Sequence, residues 1–122
     1  MPRFVVLFHE VPAGQPRASH YDLMLEQEGA LWTWALEQLP VPGQSVPAEK
    51  LADHRIAYLD YEGEVSKHRG TVQRVDAGEF ELLEQSATSV RAALRGARLR
   101  GILTLNQQAK DSSQWSAALT SV

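Results

Sequence analysis

The run His20-Tyr21-Asp22-Leu23-Met24-Leu25-Glu26 holds the residues whose types and spacing most readily do chemistry. In an extended strand, side chains two apart share a face. His20, Asp22, Met24 and Glu26 then line one side, and Tyr21, Leu23 and Leu25 pack the other. An imidazole and a carboxylate side by side on rigid backbone are half of a divalent-metal site. The plainer alternative is the wet face of a half-buried sheet. His9 ends an earlier apolar run, Phe4-Val5-Val6-Leu7-Phe8. If the two runs pair as neighbouring strands, His9 approaches His20 and Asp22. Two neutral imidazoles and one carboxylate suit Mn²⁺, Fe²⁺ or Zn²⁺, with positions left open for water or substrate.

A second group lies in Asp53-His54-Arg55-Ile56-Ala57-Tyr58. A histidine beside a metal can stabilise a phosphoryl oxygen or act as general acid. A tyrosine hydroxyl can bind substrate. Taken alone, the segment better describes an exposed loop histidine and a core tyrosine. Lys67-His68-Arg69 and the row Arg91, Arg95, Arg98, Arg100 are the basic clusters. Arginine forks match phosphate oxygens, but charged rows more often solvate a strand edge. Trp32 and Trp34 share a strand face, where core packing is the default. No phosphate-binding glycine loop, serine-nucleophile elbow or zinc finger is present.

Short strands must position these side chains. Arg3 to His9 predicts a first strand. His20 to Glu26 and Ala30 to Leu36 predict a hairpin turning at Gln27-Glu28-Gly29. Arg55 to Leu59 predicts a further short strand. Gly70 to Val75 and Glu79 to Leu83 flank Asp76-Ala77-Gly78, a hairpin-turn sequence. Ser89 to Arg100 has helical composition, yet Val90, Ala92 and Leu94 alternate with polar or small neighbours, which favours a strand. Ile102 to Asn106 and Trp115 to Leu119 complete the set. Pro47 to Ala52 predicts a short helical turn. Pro12 to Ser19 and Pro40 to Pro47 read as loops. The expected fold is mainly all-β: a compact barrel or sandwich of short strands, in one domain over residues 1–122.

The 122 residues suffice for one core, and the absence of cysteine excludes disulfides, thiolate zinc sites and cysteine nucleophiles. A net charge of -3 does not advertise nucleic-acid binding by bulk charge. No apolar run approaches the ~20 residues that span a bilayer, and the first apolar run is too short for a signal peptide. The expectation is a soluble, cytoplasmic protein with no membrane partner.

Taken in order, these segments resemble the 3′-phosphoesterase module of bacterial DNA ligase D, which also occurs as a stand-alone protein. Phe4-Val5-Val6 leading to His9 is similar to that family's opening strand. His20-Tyr21-Asp22-Leu23-Met24-Leu25-Glu26 resembles its His-Tyr-Asp-Phe-Arg-Leu-Glu signature. Gly29-Ala30-Leu31-Trp32-Thr33-Trp34-Ala35 resembles Gly-Val-Leu-Lys-Ser-Trp-Ala. Asp53-His54-Arg55-Ile56-Ala57-Tyr58 and Tyr61-Glu62-Gly63 resemble Asp-His-Pro-Leu-Asp-Tyr and Phe-Glu-Gly. Gly70-Thr71-Val72, Asp76-Ala77-Gly78-Glu79-Phe80-Glu81 and Leu94-Arg95-Gly96-Ala97-Arg98-Leu99-Arg100-Gly101 continue the match.

The resemblance implies a compact β-barrel with short flanking helices. It implies a manganese-dependent enzyme that removes a ribonucleoside and then a phosphate from DNA 3′ ends, with Zn²⁺ or Fe²⁺ as alternative metals. It assigns the metal to His9, His20 and Asp22, phosphate contact to His54 and support to Tyr58. Glu26 would orient a ligand from behind. DNA 3′ ends or a related phosphoester would be the substrate, and a DNA ligase or polymerase a partner. Two departures stand out: Met24 replaces the signature arginine, and Trp32 replaces a lysine. Losing a charge-assisted hydrogen bond costs roughly 1.5–3 kcal/mol. Arg17, Lys67, His68 or Arg69 would then supply substrate-binding charge from another direction. Two rival expectations follow. One is a catalytically impaired relative that binds nucleic acid or a repair partner. The other is an iron-oxygenase triad built from His20, Asp22 and a later histidine.

Overall fold

A computed structural model of the chain describes residues 1–66 and 68–121. Its strands are β1 (Arg3–Glu10), β2 (His20–Gln27), β3 (Ala30–Leu36), β4 (Ser45–Arg55), β5 (Gly63–Glu64), β6 (Thr71–Gln85), β7 (Ser89–Gly96), β8 (Arg100–Gln107) and β9 (Gln114–Thr120). They pair antiparallel in the order β1-β2-β3-β4-β9-β8-β7-β6, and β1 returns to β6. Eight strands therefore close into a barrel, with β5 appended to β6. Closure leaves no free edge around the ring.

Every strand of the ring sends an apolar side chain inward: Phe4, Leu23, Trp34, Val46, Phe80, Ala92, Leu103 and Trp115, in one buried cluster. Trp34 and Trp115 meet edge to face at 5.7 Å. Because side chains alternate, the residues between these face outward. A smaller buried cluster covers that outer wall over β1, β2 and β3: Val5, Leu7, Met24 and Leu31, joined by Leu59 and Val72. The site described below lies on this outer wall, beyond Leu7.

The expected β2–β3 hairpin is present, with Glu28 and Gly29 both at positive φ (49° and 82°). That is the backbone a two-residue primed turn needs. Ser89 to Gly96 is strand, as its alternation suggests.

Four local expectations are corrected. Pro47 to Ala52 is not helical; it lies within β4, paired with β9 on one side and β3 on the other. Pro47 sits just beyond the end of β3, where its missing N–H breaks no ladder bond on that side. Ile56–Leu59 forms a 3₁₀ turn rather than a strand, and buries Leu59 against the outer-wall cluster. That turn is the sole helical element among the described residues, so the short flanking helices implied by the family resemblance are otherwise missing. Asp76-Ala77-Gly78 is not a turn. It lies inside the 15-residue β6, which pairs with β1 through Thr71 to Glu79 and with β7 from Gly78 onward. A Cβ at Gly78 would sit 2.3 Å from the Arg95 carbonyl oxygen, so glycine permits the close approach.

Asp76 explains the acidic residue in that segment. Its buried carboxylate accepts N–H groups from Ala77, Ala97, Arg98 and Leu99 at 2.8–3.1 Å. It therefore caps the β7–β8 turn and has no link to the metal-ligand candidates.

Candidate metal centre

Strand pairing settles which polar residues meet. β1 and β2 run antiparallel with His9 opposite His20 and Leu7 opposite Asp22. His9 and His20 stack edge to face at 5.1 Å. His9, His20 and Asp22 each offer one ligand atom, and the three atoms lie within 4.8 Å of one another. His20 Nε2 is 3.0 Å from Asp22 Oδ1, and His9 Nδ1 is 3.7 Å from Asp22 Oδ2. His20 and Asp22 are buried.

The outer nitrogens of both rings are occupied. His20 Nδ1 lies 2.8 Å from the Ala18 carbonyl oxygen, and His9 Nε2 lies 2.7 Å from that of Arg69. A carbonyl oxygen only accepts, so each ring must donate there. In a neutral imidazole the inward nitrogen is then a bare lone pair. Two lone pairs thus converge on a carboxylate whose Oδ1 is buried without a hydrogen-bond donor. Such a set of acceptors is unstable alone and is satisfied by a cation, or by a proton shared with His20. His20 accordingly holds its proton above the ordinary histidine value. Burial opposes this most strongly, but the Asp22 carboxylate and the Ala18 carbonyl outweigh it. The donor set fits Mn²⁺, Fe²⁺ or Zn²⁺.

Gly70 brings the Arg69 carbonyl into place. It has φ +104°, and a Cβ there would sit 1.9 Å from the Glu10 carbonyl oxygen. Only glycine lets the 69–70 segment lie so close to β1.

The cluster opens into a cleft of about 430 Å³ bordered by Arg17, Glu49, His54 and Arg69. A second hollow of about 280 Å³ continues past His9, Asp22, His54 and Arg69 toward Met24, Tyr58 and Val72. His54 Nδ1 faces the Ala52 carbonyl at 3.0 Å, and Nε2 has no hydrogen-bond partner among the described residues. Tyr58 packs edge-on to His54 at 5.8 Å. His54 and Tyr58 therefore stand beside the cluster of His9, His20 and Asp22.

Of the charged candidates, Arg17 borders the cleft, but both its terminal nitrogens bind Glu49, at 2.7 and 3.0 Å. The pair raises the Arg17 pKa and lowers that of Glu49. Arg69 borders both hollows, and its guanidinium bonds Ser66 O and Oγ. His68 does not join them; it borders a separate hollow with Glu64 and Thr71. Lys67 lies outside the described residues. Glu26 does not support a ligand: its carboxylate accepts the Arg3 N–H at 2.8 Å, at the far end of the β1–β2 pair.

Trp32 also changes meaning. It packs against the barrel interior, while its neighbours Leu31 and Thr33 face outward. A lysine there would not face the ligand cluster. Met24 does lie on the outer wall and floors the second hollow.

No signal in the residue order points to Glu49, because residues 47–52 have the composition of a helical turn. The glycine after Arg69 was the available sign that its main chain approaches another strand.

The chain matches the DNA Ligase D 3′-phosphoesterase domain family over residues 13–107. It belongs to that family. Membership marks a 3′-phosphoesterase-type module with a DNA-related substrate. The matched span contains His20, Asp22, His54 and Tyr58, while β1 and His9 precede it. No curated protein matches the chain. No helix among the described residues is long and apolar enough to cross a membrane.

Proposed function

We propose that this domain is a divalent-metal-dependent phosphoesterase acting on the 3′ ends of DNA, with His9, His20 and Asp22 as metal ligands. One observation carries the reading: both imidazoles meet backbone carbonyls with their outer nitrogens and turn their inner nitrogens toward one buried carboxylate. Mn²⁺ is the first choice, with Zn²⁺ or Fe²⁺ compatible with the same donors. A bound metal would lower the pKa of a water and offset charge developing on the phosphate. His54 Nε2, free at the cleft boundary, would hydrogen-bond a phosphate oxygen or pass a proton to the departing oxygen. Tyr58 holds the His54 ring edge-on and so fixes its direction. Arg69 supplies positive charge between the two hollows.

A second reading is favoured by Met24 and Glu49. Met24 puts an apolar floor where the family signature has an arginine, and Glu49 already offsets Arg17. The domain would then bind 3′ ends, or a ligase- or polymerase-bound end, without hydrolysing them. Purified protein with Mn²⁺ and a 3′-phosphate primer-template separates the two. Phosphate release that stops on Asp22→Asn supports the enzyme. No turnover with any divalent metal, together with binding whose log affinity falls linearly with log salt, supports the second reading.

A further inference from the structure

Beyond the second hollow the groove continues. Arg55, Tyr58 and Val65 border both that hollow and a third of about 270 Å³, to which Tyr61 contributes. The aromatic rings step outward from the ligand cluster: His54 to Tyr58 is 5.8 Å between centroids, and Tyr58 to Tyr61 is again 5.8 Å, with planes at 89°. The Tyr61 hydroxyl donates to the Glu64 carbonyl, which pins the ring although it is 39% exposed. Arg55 is exposed and has no ion pair among the described residues. Apolar Met24, Val65 and Val72 border the way in.

These features do not suit a second phosphate: Asp53 borders the second hollow and Glu64 the third, offsetting the arginines, and Met24 and the valines offer no donors. They suit a flat, mostly uncharged group. An exposed, pinned tyrosine and an unpaired guanidinium are the surfaces on which nucleobases stack. We infer that the hollows bordered by Met24, Tyr58, Arg55 and Tyr61 form a nucleoside subsite. The sugar of the 3′-terminal nucleotide lies over Met24 and Val72, and its base stacks against Tyr61 and Arg55. The preferred substrate is then an end that carries a base next to the reacting phosphate. This assignment rests on the phosphoesterase reading above for the place of the phosphate.

The test compares two primer-templates with Mn²⁺: one with an ordinary 3′-terminal nucleoside phosphate, one with an abasic 3′-terminal residue bearing the same phosphate. The expected kcat/KM is about tenfold higher with the base, a typical stacking effect. Tyr61→Ala should bring that ratio to within twofold of unity, and Tyr61→Phe should keep it. Equal kcat/KM on both substrates in the wild-type protein overturns the inference, and needs no variant to fold. So does a Tyr61→Ala protein that falls equally on both. If neither substrate turns over with any metal, the phosphoesterase reading fails, and the subsite is judged by binding alone. Thymidine 3′-phosphate binding about tenfold tighter than inorganic phosphate, with the difference lost in Tyr61→Ala, upholds it; equal binding overturns it.

Discussion

Asp22 is held between two histidines, with one carboxylate oxygen buried and lacking a donor. Without a cation, and once His20 has lost its proton, that arrangement works against the fold. Asp22→Asn removes the charge, and its one amide nitrogen can donate to His20 Nε2, the nearer of the two ring nitrogens at 3.0 Å. At a pH high enough for His20 to be neutral, the metal-free protein should therefore gain roughly 1 kcal/mol, while Mn²⁺ affinity drops at least tenfold. Thermal unfolding with and without Mn²⁺ reads both effects, and a metal-free variant less stable than the wild type contradicts the account. Arg17 and Glu49 make a contrasting pair, with about 40% of each side chain exposed. The folded Glu49 pKa lies below its ordinary value, chiefly through hydrogen bonds from Arg17. Its contribution is thus fully present above the ordinary carboxylate range and fades as pH falls through the folded value. Solvent screening keeps it under about 1 kcal/mol. Glu49→Gln should lose that amount at pH 7 and converge with wild type on acidification, as denaturant titrations across pH would show.

At the scale of the element, β6 is the strand least expected from the sequence. Asp76-Ala77-Gly78 has turn composition, yet it marks where one long strand passes from pairing with β1 to pairing with β7. Local propensity cannot see that handover, because the partners are far away in sequence. The same blindness turned Pro47 to Ala52 into a helical turn, although neighbours on both sides make it strand. By contrast, the β2–β3 hairpin was legible because its turn residues and alternation agree. So was the meeting of His9, His20 and Asp22, since His20 and Asp22 are fixed by period-two spacing and His9 by simple pairing. Glu26 shared the period but stands four residues from Asp22, too far along the strand to touch it. Asp76→Ala leaves up to four N–H groups without their acceptor. It should destabilise the fold by roughly 3 kcal/mol or more and leave Mn²⁺ affinity unchanged, because the ligand cluster is elsewhere. Unfolding midpoints and metal titration together check this.

For the whole molecule, closure depends on β1, which bridges β2 and β6. The family match begins after this strand. A chain trimmed to residues 11–122 would keep the matched span, yet lose Phe4 and Val6 from the interior and His9 from the ligand cluster. It would also expose two sheet edges. Such a chain should show no cooperative thermal transition and should aggregate, whereas trimming residues 1 and 2 should be tolerated far better. Circular dichroism melts and light scattering distinguish the outcomes. In the intact barrel, the proposed Mn²⁺ would link β1 to β2, so metal at a hundredfold excess over Kd should raise stability by about 2.7 kcal/mol.

Three histidines in this groove, His9, His20 and His54, are each aimed by a main-chain carbonyl, those of Arg69, Ala18 and Ala52. Every residue type carries a carbonyl, so those three side chains can change identity without releasing an imidazole. Only a change in backbone course can do that. Gly70→Ala, which would drive a Cβ into the Glu10 carbonyl, is such a change. The aim of the site is therefore buffered against most sequence drift in its surroundings, and the groove walls are left free to vary and select what is bound.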